Sequence, residues 1–265
     1  MSADLLYGVN QGWIFLISLA LFYACAEFGY RLGNAAAPRL NKEATTHVGT
    51  IEGALLGLLA LLLGFAFSMA MDRYDNRRSV VVNEANDLQT TYLRSKLLHP
   101  PHNTIVADLL KQYVDSRVEY LKAAYDQLVL QNALNRTSAL QRSLWQQATL
   151  AAQENNDEVR TGYFIESLNN LIDDHTRRVA AMGNHVPEII LLLLFFVAAM
   201  TIAMTGYSSG LNQTRLGIPR FILILLTSAT LMVIIDLDRP KRGFIKVTEK
   251  AMLELQRELN TPSAS

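Results

Sequence analysis

The sequence predicts an all-α chain with four transmembrane helices and a long helical cytoplasmic bundle. Two observations carry this. Half of the 265 residues are hydrophobic, and they gather into four long apolar stretches separated by charged, helix-forming sequence. With only 14 Gly and 7 Pro and almost no β-branched alternation, strands and turn-rich domains have no signal.

The first apolar stretch is Trp13–Ala26 (WIFLISLALFYACA), continuing to about Leu32 if Glu27 sits at the interface. The second is Ile51–Met71, the third Val186–Tyr207 and the fourth Ile218–Ile235. Each is close to the ~20 residues that cross the hydrocarbon layer as a helix. Ala24-Cys25-Ala26 resembles a signal cleavage site, but residues 1–12 contain no Lys or Arg, so an uncleaved helix is expected. Cys25 is the single cysteine, which excludes an intrachain disulfide.

Four crossings put both ends of the chain on one side. Arg73, Arg77, Arg78, Arg177 and Arg178 flank the connection between the second and third stretches, and Arg239, Lys241, Arg242, Lys246 and Lys250 follow the fourth. The other side offers Arg39, Lys42 and Arg215 in its connections, with Arg31 and Arg220 at helix ends. The basic excess places the termini and residues 72–185 in the cytoplasm. The predicted organisation is 1–71 for the first two membrane helices (about 13–32 and 51–71), 72–185 for the cytoplasmic helices, 186–235 for the last two membrane helices, and 236–265 for a cytoplasmic tail.

Within 72–185, Asp72–Leu98 continues the second membrane helix without a break. Pro100 and Pro101 in HPPH end it. Thr104–Leu130 follows, with Ile105, Leu109, Val114, Val118, Leu121 and Tyr125 on one face. Ser138–Gln153 and Glu158–Met182 come next, separated by ENND at 154–157. Phe164, Leu168, Leu171, Ile172 and Val179 form the apolar stripe of the last helix. Gly183-Asn184 stops it, and Pro187 opens the third membrane helix. In the tail, Lys250–Leu259 has helix-forming composition.

Signatures of chemistry are missing. No P-loop, HExxH, GxSxG or GxGxxG occurs, and no Cys/His spacing fits zinc, so neither an enzyme nor a metal or cofactor is expected. His99 and His102 flank two prolines in what looks like a surface loop. With 24 Lys+Arg against 24 Asp+Glu, net charge gives no reason to expect nucleic acid as a partner.

The second helix carries the functional signal. Gly53, Gly57, Ala60, Gly64 and Ser68 share one narrow face, with Gly53 and Gly57 in GxxxG spacing. Such a face lets helices approach closely in lipid, within a chain or around an oligomer axis. Beside it run Gly57, Leu61 and Phe65 at i, i+4 and i+8, continued by Ser68 and Asp72. Seven charged residues then follow within one unbroken helix: Asp72, Arg73, Asp75, Arg77, Arg78, Glu84 and Asp87. Asp75 with Arg78, and Arg77 with Glu84, are spaced to pair across turns.

The segment LLGFAFSMAMDRYDNRR is similar to the second membrane helix of bestrophins. NEANDLQTTYLRSKLL resembles the helix that follows it there, and DLDRPKRGF the Pro-containing motif after their fourth membrane helix. Taken together, residues 10–255 look like the bacterial bestrophin-like family. The resemblance implies a homo-oligomeric channel for inorganic ions, a pentamer as in bestrophins, with the second helix lining the pore. Counting back from Arg73, its hydrophobic neck corresponds to Gly57, Leu61 and Phe65, with Ser68 below. Asp72, Arg73, Asp75, Arg77 and Arg78 would shape the pore mouth or vestibule. Two residues depart from that pattern: Gly57 would widen one ring, and Asp72 would favour cations. Lys241 and Arg242 stand where animal bestrophins carry an acidic calcium cluster. The alternative reading is a non-conducting, membrane-anchored scaffold or sensor whose helical domain binds a partner.

Overall fold

The computed structural model describes residues 11–39, 42–122, 127–154, 158–215, 217–239, 245 and 250–261. Among them all regular structure is helical. α1 is Gln11–Ala36, followed by a 3-10 turn at Ala37–Arg39. Next come α2 Lys42–Ser95, α3 His102–Lys122, α4 Gln127–Glu154, α5 Glu158–Gly183, α6 Glu188–Leu211, α7 Gly217–Asp238 and α8 Lys250–Asn260. Four helical stretches are long and apolar enough to cross a membrane: in α1, the first part of α2, α6 and α7. The absence of any breaker between Met71 and Asp72 has its expected result, and α2 runs unbroken for 54 residues.

The chain divides into two compact units. One comprises Met1–Tyr74 and His185–Ile245, the other Asp75–Asn184 and Lys246–Ser265. In the first, α1 and α6 touch backbone to backbone. A Cβ on Gly29 would lie 2.0 Å from the Ala203 carbonyl oxygen, and one on Gly33 2.1 Å from that of Tyr207. Gly206 and Gly210 on α6 answer with 2.1 Å to the Ala26 oxygen and 2.3 Å to the Tyr30 oxygen. Glycine is the one residue that permits this approach. Phe22, Leu191, Leu194, Ile202 and Ile234 are buried in the same core. The α7 end is tied in by Asp238, whose two carboxylate oxygens accept the Val186 N–H at 3.1 and 2.9 Å, just before Pro187 opens α6. Asp236 Oδ2 accepts the Ile245 N–H at 2.9 Å. The two acids of DLDRP therefore each accept a backbone N–H.

The second unit buries Leu88, Leu110, Leu144, Phe164, Leu168 and Met252 in one core. Two expectations need correction. Residues 131–137, left between two expected helices, are helical and belong to α4, which runs Gln127–Glu154. Packing satisfies their polar groups. Thr137 and Ser116 both donate to the Ala133 carbonyl, at 2.8 and 3.1 Å. The expected apolar stripes are buried for most of their length, with Val114 and Val118 on α3 and Phe164, Leu168 and Leu171 on α5 in the core and Leu109 and Ile172 packed against it. They depart at single positions: Ile105 and Val179 are exposed, whereas Val106, Arg117 and Arg178 are buried. The tail helix α8 belongs to this unit, burying Met252, Leu255 and Leu259. The break expected at ENND falls mostly on residues 155–157, outside the described ones, as do Lys241, Arg242 and Lys246.

Candidate pore-lining helix

Along α2 the face expected to line a pore is open within the chain. Gly53, Gly57, Ala60, Leu61, Gly64, Phe65, Ser68 and Asp72 are all exposed, Leu61 at 54% and Phe65 at 63%. Only 17% of the most apolar stretch of α2 is buried, against 28%, 39% and 33% for the other three membrane-crossing candidates. Leu59, Ala66 and Ala70 form its buried stripe. A Cβ added at Gly53, Gly57 or Gly64 would meet nothing within 4 Å. The small residues singled out for helix packing (Gly53, Gly57, Ala60, Gly64) therefore make no such contact among the described residues. That role falls to Gly29, Gly33, Gly206 and Gly210, which have the same four-residue spacing and could have been read from it.

Beyond the apolar stretch the expected vestibule residues separate. Asp75 and Arg78 are exposed and Arg73 is half-buried. No ion pair joins Asp75 to Arg78 among the described residues. Arg77 turns inward instead. It is 1% exposed, and its Nε and Nη2 donate to the Ala181 and Asn184 carbonyls at 3.3 and 2.9 Å, closing the C-terminal end of α5. An arginine so enclosed cannot also face a vestibule, so Arg77 leaves that set. Nor does Glu84 serve as its ion-pair partner as expected, because a seven-residue separation is ~10.5 Å of helix rise.

Glu84 lies at the centre of a buried polar cluster that periodicity does not reveal. Its carboxylate accepts from Arg178 Nη1 of α5 and from Arg117 Nη2 of α3 at 3.3 Å. Arg117 Nε stands 2.9 Å from Oε1 as an ion pair without hydrogen-bond alignment. His175 Nδ1 is 3.5 Å from the same oxygen, and the Tyr113 hydroxyl donates to it at 3.3 Å. Glu84, Arg117 and Arg178 have no exposed side-chain surface. Burial alone would push the Glu84 carboxyl up. The Arg117 charge, the His175 hydrogen bond and Arg178 outweigh it and hold the group far below the usual carboxylate range. Burial, then the Glu84 charge, pushes the Tyr113 hydroxyl up, so it remains a donor. The cluster ties α2, α3 and α5 together.

His102 is also misread by its sequence context. It is 5% exposed, with Nδ1 2.9 Å from Gln147 Oε1 and Nε2 2.9 Å from Glu154 Oε2. It fastens the start of α3 to the end of α4. Among the described residues no group of three or more His, Cys, Asp or Glu could hold a metal ion.

The segments that make this geometry, from RYDNRR through NEAND on α2 to DLD on α7, lie within a match to the sequence profile of the Bestrophin-like domain over residues 20–252. The chain belongs to the bestrophin-like family. No curated protein and no solved structure matches it. Membership, with four helices of membrane-crossing length, makes this bestrophin-like chain a membrane protein.

Proposed function

We propose that this bestrophin-like protein is a homo-oligomeric ion channel in which α2 lines the pore. The observation that carries the reading is the open α2 face. From Gly53 to Asp72 one line of an apolar helix is exposed and meets no partner among the described residues. Copies of α2 around a common axis would close that line, and its small residues allow the crowding. Leu61 and Phe65 then form the narrow apolar rings, where ions lose hydration without gaining polar contacts. Gly57 widens the ring on one side of them and Ser68 lies on the other. Asp72 sets a ring of carboxylates at the mouth, beside Arg73, Asp75 and Arg78, and favours cations. The basic excess after α2 and α7 puts the helical unit and both termini in the cytoplasm of a bacterial inner membrane.

The test is flux through the purified protein in liposomes. The Leu61→Ala/Phe65→Ala variant should conduct more strongly at an unchanged melting temperature, because both side chains are more than half exposed in the protomer. Asp72→Asn should shift the reversal potential toward anions. If the two side chains instead pack against neighbouring helices, truncation should cost roughly 2–5 kcal/mol each and produce no current. That result, with no flux from the parent protein, replaces the channel by a membrane-anchored scaffold.

A further inference from the structure

We propose that Arg215 and Arg220, gathered on the ring of Tyr30, form a site for a phosphate group supplied by the headgroup of a membrane phospholipid. The guanidinium carbons of Arg215 and Arg220 lie 5.2 and 5.4 Å from the Tyr30 ring centroid. Tyr30 is on α1, Arg215 follows α6, and Arg220 is in the first turn of α7. Three separate parts of the apolar unit thus bring two like charges to one aromatic ring. A ring's quadrupole stabilises a cation but does not neutralise it. Two guanidiniums at the edge of an apolar layer still call for an anion.

The nearby Glu27 carboxylate acts on Arg215 through its charge only and makes its hydrogen bond elsewhere. Glu27, one turn before Tyr30, is engaged by Arg31 Nε at 3.0 Å. The first turn of α7 holds no acidic residue. Arg220 Nε and Nη2 are shielded from solvent and have no hydrogen-bond partner. Unmade donors of a charged group are costly, and guanidinium N–H pairs match phosphate oxygens in a two-pronged geometry. The surroundings favour a lipid as the source of that phosphate. Phe28 and Leu32 on α1, with Ile218 and Phe221 on α7, are exposed apolar side chains within a turn of these residues, placed to meet acyl chains. The site is independent of whether α2 conducts.

The experiment measures melting temperature and bound lipid by native mass spectrometry on the full chain in detergent micelles. Dioleoylphosphatidylglycerol, dioleoylglycerol and inorganic phosphate are the three probes. Phosphatidylglycerol should raise the melting temperature and remain bound, while dioleoylglycerol, which lacks the phosphate, should do neither. Arg215→Gln/Arg220→Gln should weaken phosphatidylglycerol binding about tenfold or more. Arg215 is exposed, so Arg215→Gln alone, with a smaller loss, keeps the test valid if the double variant does not fold. Equal stabilisation by dioleoylglycerol, or unchanged phosphatidylglycerol binding in both variants, overturns the site. Full stabilisation by millimolar inorganic phosphate overturns the lipid as its source.

Discussion

At the scale of single residues, the most consequential side chains are charged ones that the fold buries. Glu84 faces two arginines, and none of the three has exposed side-chain surface. Glu84→Gln removes the charge that both require. It should destabilise the helical unit by roughly 3–5 kcal/mol, the usual cost of leaving buried charges uncompensated. Denaturant titration followed by circular dichroism measures this. The carboxyl's folded-state pKa is held below its unfolded value. Its stabilising contribution is therefore complete above the ordinary carboxylate range and is lost as pH falls toward the folded value. The parent protein should lose melting temperature in acid more steeply than Glu84→Gln. His102 behaves in the opposite sense. Hydrogen bonds to Gln147 and then Glu154 raise its pKa above 6.5. Its contribution is complete below that value and fades as pH rises through the raised one. The melting-temperature gap between the parent protein and His102→Gln should therefore narrow as pH rises through that raised value.

At the scale of helices, two sets of glycines with the same spacing have opposite surroundings. Gly29, Gly33, Gly206 and Gly210 sit where an added Cβ would meet a backbone carbonyl at 2.0–2.3 Å, and backbone cannot swing aside as a side-chain tip can. Gly206→Ala should therefore cost at least ~1–3 kcal/mol by overpacking. Gly64 faces open space, and Gly64→Ala should be neutral or slightly stabilising in the protomer, since Ala is the better helix former by ~0.5–1 kcal/mol. Gly64→Leu should leave the isolated protomer folded but disrupt assembly if copies of α2 meet at that face. Melting temperature and native mass on the three variants separate packing inside the chain from packing between chains. Loss of protomer stability in Gly64→Leu would count against the open face.

At the scale of the whole molecule, the division into an apolar unit and a helical unit predicts two compartments. A reporter fused near His99, in the helical unit, should give a cytoplasmic signal. One fused near Asn212, between α6 and α7, should give a periplasmic one. Cyclic particles in mild detergent, five-fold if the bestrophin architecture is shared, should accompany that topology. A monomer in both detergent and lipid would remove the basis for a pore. Arg77 and Arg178 contribute to the basic count behind this orientation, yet both are packed within the helical unit, so the exposed Arg78 and Arg177 carry more of the weight.

The sequence by itself determined the helical class, the four apolar segments, the unbroken passage of α2 and the family. These rest on local quantities: apolar run length, the position of prolines, and motifs such as RYDNRR and DLDRP, each legible in one short window. It also pointed to Gly57, Leu61 and Phe65 on a single helix face, because helical periodicity is local. Only the tertiary structure decided which charged side chains join the buried faces and which apolar ones leave them. It turned Arg77, Arg117 and Arg178 inward and Ile105 and Val179 outward, because the carboxylate of Glu84 and the carbonyls of Ala181 and Asn184 come from elements distant in the chain. It also decided which of two equivalent glycine motifs touches another backbone. Spacing permits a close approach, but whether a helix arrives there depends on the packing of the whole unit.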